Sequence, residues 1–171
     1  KTSKKKTSGS RNHFFAKSNI DLNLNAYDES DLEINLQRVS NNTYLRVYDI
    51  NSPLITDETL MDSSVEMNLS NEDSSLDLSM NVYKDLSNTD DRYEFILPNY
   101  NYKNKTLFSD KLGQIDFQSR GYYKKYETNK SQTKFVNDFF WRSNDHIGKT
   151  GILTKFEGNL KNSNYKAEKT E

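Results

Sequence analysis

The sequence predicts an all-β protein, an antiparallel up-and-down meander of about eight strands, and three observations carry that reading. Apolar residues recur at every second position, as in Ile20, Leu22 and Leu24 or Val65, Met67 and Leu69, the period of a strand with one buried face. Such runs come in pairs joined by Asp/Asn/Ser-rich segments of turn composition. No segment keeps a helical apolar repeat for three turns.

Taken in order, Ile20–Leu24 and Leu32, Ile34 and Leu36 form a first hairpin around the turn Asp28-Glu29-Ser30-Asp31. Thr43 to Asp49 is the one short helical turn, with Tyr44, Leu45, Val47 and Tyr48 on one side. Val65–Leu69 and Leu76–Val82 form a second hairpin around Asn71-Glu72-Asp73-Ser74. Tyr93–Tyr102 leads through a loop near Lys103 to Gly113 into a strand from Ile115 towards Tyr126. After a turn at Thr128-Asn129-Lys130-Ser131, the last pair runs from Thr133 to Ser143 and from Ile152 to about Tyr165, joined by a loop holding Asn144, Asp145, Gly148 and Gly151. A fixed-length repeat is absent, which disfavours a solenoid or propeller. A meander of this kind must close, pair with another sheet or leave unpaired edges.

Composition bounds the function. A chain of 171 residues with 33% hydrophobic and 29% charged residues has little material for a large dry core. Apolar runs reach only three to four residues, such as Phe139-Phe140-Trp141, far short of the ~18 of a membrane-spanning helix. Membrane-spanning strands stay open, since they show apolar residues only at alternate positions. With 11 Tyr and 9 Phe the chain is not a disordered one. It opens on Lys1-Thr2-Ser3-Lys4-Lys5-Lys6 with no apolar stretch behind it, so no signal peptide is expected. The expectation is an internal piece of a longer protein, with a flexible basic segment over residues 1–11 and one β-domain over 12–171.

Charge is unevenly spread: residues 1–27 hold six Lys/Arg against one Asp, a net +5, and residues 28–99 hold four against sixteen Asp/Glu, a net −12. The basic start carries no nucleic-acid reader motif, so no nucleic-acid partner is expected. Zero cysteines exclude disulfides, thiolate metal sites and a cysteine nucleophile. The acidic pairs Asp28-Glu29, Asp57-Glu58, Glu72-Asp73 and Asp90-Asp91 fall at predicted turns and lack calcium-loop spacing; solvated turns are the reading. His146 stands beside Ser143, Asn144 and Asp145, but no nucleophile elbow accompanies it. His13 has no evident partner. The expectation is a protein that is not an enzyme, with no catalytic, cofactor or metal residues and with its substrate-binding residues unknown. The aromatics Tyr93, Phe95, Tyr100, Tyr102, Phe108, Tyr122, Tyr123, Tyr126, Phe135, Phe139, Phe140 and Trp141 suit either a soluble β-core or the rims of a membrane barrel.

Three segments in order, Ser40-Asn41-Asn42-Thr43-Tyr44-Leu45-Arg46-Val47-Tyr48-Asp49-Ile50, Arg92-Tyr93-Glu94-Phe95-Ile96-Leu97-Pro98-Asn99-Tyr100-Asn101-Tyr102 and Asn137-Asp138-Phe139-Phe140-Trp141-Arg142-Ser143-Asn144, resemble the β-barrel region of the lipopolysaccharide-assembly family LptD, the organic solvent tolerance proteins. The resemblance runs from about Asn12 to Tyr165. It implies a section of a large barrel in the Gram-negative cell outer membrane, part of the translocon that places lipopolysaccharide in the outer leaflet. It also implies partners: lipopolysaccharide, an LptE-type lipoprotein plug, outer-membrane lipids, and a periplasmic Lpt bridge reached through a jellyroll domain outside this stretch. The alternative is a soluble periplasmic or surface β-sandwich that binds carbohydrate or protein.

Overall fold

The computed structural model describes residues 12–50, 54, 59–87, 93–105, 112–126 and 130–169, and the backbone alone of 106–109. Most of the described residues are strand, and the one described helix has five residues. The elements are β1 (His13–Asp21), β2 (Glu29–Val39), α1 (Tyr44–Tyr48), β3 (Leu60–Ser70), β4 (Ser74–Asp85), β5 (Tyr93–Ser109), β6 (Gly113–Tyr126), β7 (Lys130–Arg142), β8 (His146–Ile147), β9 (Leu153–Thr154) and β10 (Glu157–Glu168). Eight of them form one antiparallel sheet in the order β1-β2-β3-β4-β5-β6-β7-β10, and β8 and β9 pair as a small separate hairpin. Each long strand lies beside its sequence neighbour, as alternation and turn chemistry predict. The sheet is open, with β1 and β10 as its two edges.

Register fixes the faces. Val65 pairs with Met80, Met67 with Leu78 and Leu69 with Leu76, and residues directly opposite share a face. The same apolar face takes Leu32 and Ile34 from β2, Ile20 from β1, Tyr100 and Tyr102 from β5, and Phe117, Phe135, Phe139 and Trp141 from β6 and β7. Glu66, Asn68, Asp77 and Ser79 stand on the other, polar face, as the period of two predicts.

Several boundaries differ from expectation. The first turn occupies residues 22–28, so Leu22 and Leu24 lie beyond β1, while Glu29, Ser30 and Asp31 already belong to β2; the Ser30 carbonyl and hydroxyl hold the Leu22 and Leu24 amides. Lys103 to Ser109 is strand rather than loop, because pairing with β6 continues to Ser109 opposite Gly113. Ile152 and Leu153 belong to the small hairpin, and the true partner of β7 starts at Glu157. Lys130 and Ser131 open β7 rather than closing a turn. Residues 1–11 and the pairs Asp57-Glu58 and Asp90-Asp91 lie outside the described residues.

Pairing is regular from β1 to β4 and interrupted around β5, with shifts between Ser79 and Asn81, Ile96 and Asn99, and Asn104 and Leu107. Pro98, which has no amide to donate, sits inside the second interruption, where the ladder needs no donor. The compact core is small and lies at the α1 end of the sheet: Val39, Tyr44, Leu45, Met61 and Leu86, with Phe15 and Ile50 against them. It packs the helix against that end alone and leaves Ile20, Leu36 and Met80 exposed.

Candidate functional site: a two-faced wall

Along the sheet, the functional feature is the contrast between its faces. On the apolar side large side chains stay open: Ile20, Leu36 and Met80 are each 41% exposed, and Phe135 and Phe139 42%. Among the described residues no second layer packs on them. Aromatics concentrate on this face from β5 to β7. Phe117 and Phe139 are 4.6 Å apart, and Tyr102 stands edge-on to Phe117 at 6.2 Å. Tyr93 and Phe95 stack towards the other end of the strands at 6.1 Å, with the Lys84 ammonium 5.2 Å above the Tyr93 ring. Tyr122, Tyr126 and Phe140 depart from any single aromatic band, since their register puts them on the polar face. Nothing is described of the Phe108 side chain.

Gly121 marks a close approach on the apolar face. A Cβ there would lie 2.6 Å from the Lys134 carbonyl oxygen, 2.6 Å from Phe135 Cδ1 and 3.0 Å from Tyr100 Cε1. The two rings close over the glycine from both neighbouring strands, 6.3 Å apart, covering backbone that has no side chain of its own. Beside them the Tyr100 hydroxyl meets Ser119 Oγ at 3.1 Å, and Ser119 donates to Asn137 Oδ1 at 2.8 Å. These polar groups on the apolar face are thus satisfied among themselves, as a low-dielectric setting requires.

The polar face carries a hydrogen-bonded ladder running across strands. Asn101 Nδ2 donates to Asp77 Oδ2 at 2.9 Å, and Gln118 Nε2 donates to Asn101 Oδ1 at 2.8 Å. Beyond it, Asp138 is flanked by Arg120 at 3.4 Å and Lys161 at 3.6 Å. Charge divides this face. By register, β1 to β4 place Asp21, Glu29, Asp31, Glu33, Asp62, Glu66, Asp77 and Asp85 on it against Lys17. From β5 to β10 it carries Lys103, Arg120, Lys124, Lys134, Arg142 and Lys161 against Glu94, Asp116, Asp138 and Glu157. Lys17 reaches Glu33 at 2.6 Å. Asn35 Oδ1 and Asp62 Oδ1, enclosed on the acidic half, accept no hydrogen bond.

The candidate chemical residues resolve into structural roles. His13 does have a partner: Nδ1 lies 3.0 Å from the Tyr44 hydroxyl and its ring packs on Phe15 and Tyr44. The Ser143 hydroxyl accepts the Phe156 amide and donates to the Asn144 carbonyl, and His146 stands in β8 opposite Thr154. They are not assembled as nucleophile and base. Glu72 and Asp73 sit in a tight turn whose Asn71 side-chain oxygen takes the Asp73 and Ser74 amides, the Asx geometry that favours these residues there. Among the described residues no three His, Cys, Asp or Glu side chains converge as a metal site. The cross-strand ladder and the Gly121 cradle escape sequence reading, because both depend on which residues register opposes.

No family model, curated protein or solved structure matches this chain.

Proposed function

We propose that this chain is a section of the wall of an outer-membrane β-barrel of the lipopolysaccharide-assembly type, with its apolar face towards lipid and its polar face towards a water-filled lumen. The carrying observation is an eight-stranded sheet that leaves one apolar face open from Ile20 to Phe139. Water disfavours that surface, whereas a bilayer requires it. Strand lengths of 9 to 17 residues meet the span of a tilted transmembrane strand, about 9–11 residues. The unpaired edges of β1 and β10 are then the places where further strands continue the barrel. A soluble sandwich would instead need a second sheet over the apolar face.

In this reading the wall transports rather than reacts. The divided polar face supports the partners: the β5–β10 half, with Arg120, Lys134 and Lys161, offers cations to the phosphates of lipopolysaccharide, while the acidic β1–β4 half suits a basic face of an LptE-type plug. The periplasmic Lpt bridge would be met through a jellyroll outside these residues. The test is depletion of the protein in its bacterium, followed by measurement of surface lipopolysaccharide and of entry of hydrophobic antibiotics. Transport predicts less of the first and more of the second, with normal values for His13→Gln and His146→Gln variants. Unchanged surface lipopolysaccharide on depletion contradicts the transport role.

A further inference from the structure

We propose that the β8–β9 hairpin and its flanks, residues 143–156, form a lipid-interface anchor seated in the headgroup layer of a phospholipid membrane beside β7 and β10. The inference rests on the barrel reading above and adds a contact which that reading does not require. Ile147, Ile152, Leu153 and Phe156 are 57–68% exposed, and Leu112 beside them is 65% exposed. Scattered exposed apolar residues are ordinary, but here Ile147 and Leu153 stand opposite each other and Ile152 and Phe156 follow within the same short segment, a local crowding of large apolar side chains that marks a contact surface.

This group is held in place by its backbone. Ile147 pairs with Leu153, the Gly148 amide donates to the Ile152 carbonyl at 2.9 Å and the Gly151 amide to the Gly148 carbonyl at 2.9 Å. The base is clamped to the end of β7: the Ser143 amide donates to the Phe156 carbonyl at 2.8 Å, and the Phe156 amide to Ser143 Oγ at 2.9 Å. Leu112 joins through its carbonyl, which accepts the Trp141 indole N–H at 2.6 Å.

Two observations select lipid as the occupant. The first is continuity: the apolar face of β7 and β10 ends in Phe139, Trp141 and Leu160, so the hairpin starts where that face stops, and tryptophan suits the boundary between hydrocarbon and headgroup. The second is charge. Lys149 lies in the hairpin turn, while Lys155 at its base lies 3.8 Å from Glu157 and Asp145 precedes β8; the cation at the exposed tip, set among apolar side chains, matches a layer of acyl carbons and anionic phosphates.

The chain has no cysteine, so single labels can be placed cleanly. The full-length protein that contains this chain, with any cysteine outside these residues replaced and carrying Ile152→Cys labelled with an environment-sensitive fluorophore, is inserted into vesicles of phosphatidylcholine and phosphatidylglycerol bearing bromines either near the headgroup or deep in the acyl chain. Leu78→Cys and Asp77→Cys serve as references for the two faces. The anchor predicts blue-shifted emission at Ile152, mostly lost to shallow bromines, with Leu78 quenched by deep bromines and Asp77 by neither. Water-like, unquenched emission at Ile152 with Leu78 still quenched overturns the anchor and leaves the barrel standing. Blue-shifted but unquenched emission at Ile152 places protein over the hairpin and also overturns it. An unquenched Leu78 overturns the barrel reading itself.

Discussion

The β1–β4 half and the β5–β10 half of the sheet obey the same alternation and fill it with different chemistry. From β1 to β4 the apolar face is aliphatic, pairing is uninterrupted, and the polar face is acidic. From β5 to β10 the apolar face is aromatic, pairing is bulged on both sides of β5 and regular from β6 to β10, and the polar face carries most of the cations. Alternation therefore accounts for where each side chain points, while residue type distinguishes what each half meets. Aliphatic side chains suit featureless hydrocarbon, and rings paired with hydroxyls and lysines suit a boundary with polar groups.

The sharpest way to break the comparison is to violate alternation in the aliphatic half. Leu78→Arg is expected to destabilise membrane insertion by about 2–4 kcal/mol near the midplane, read by denaturant titration of the full-length protein containing this chain in phospholipid vesicles. Asp77→Asn keeps the oxygen that accepts from Asn101 and should stay within ~0.5 kcal/mol. Equal tolerance of the two changes would remove the distinction between faces.

In the aromatic half, Gly121→Val should cost about 1–3 kcal/mol, because the new side chain meets the Lys134 carbonyl and the Phe135 ring at 2.6 Å. Gly158→Ala is its control, since the nearest atom there is Trp141 Cε3 at 3.5 Å, an ordinary contact. A near-neutral Gly121→Val in the same titration would mean that the rings do not close over this position.

Smaller effects sharpen the account of the polar face. Asn101→Ala removes both rungs of the Asp77–Asn101–Gln118 ladder and should cost about 0.5–1.5 kcal/mol, as for ordinary net hydrogen bonds. Arg120→Gln should cost no more than about 1 kcal/mol and lose that effect in high salt, because the pair with Asp138 is long and Arg120 is 47% exposed. A salt-independent loss at Arg120 would show that the cation is screened from water.

How much of this was legible in the sequence follows from where apolar residues stand. The β3–β4 hairpin and its faces were readable because Val65 to Met80 alternate without a fault around a turn of Asn, Asp and Ser. Residues 103–109 look like loop in the sequence because the lysines and asparagine that open them carry no hydrophobic signal, even where the backbone pairs as strand. The first turn was displaced because Leu22 and Leu24 continue the period past the point where Asn23 turns the chain at φ 48°. The His13–Tyr44 contact joins residues 31 positions apart, which local patterns do not reveal. The acidic excess of residues 28–99 is visible in the sequence, but only register shows that the acids line one face and that the cations of β5 to β10 continue it.

The central claim is that the two sides of a single strand meet lipid and water, and β4 tests it most directly. Single cysteines placed in turn at residues 76–82 of the full-length, membrane-inserted protein that contains this chain are reacted with a membrane-impermeant maleimide. The account predicts fast labelling at Asp77, Ser79 and Asn81 and protection at Leu76, Leu78, Met80 and Val82. Uniform labelling along the strand, or protection on the Asp77 side, would contradict it.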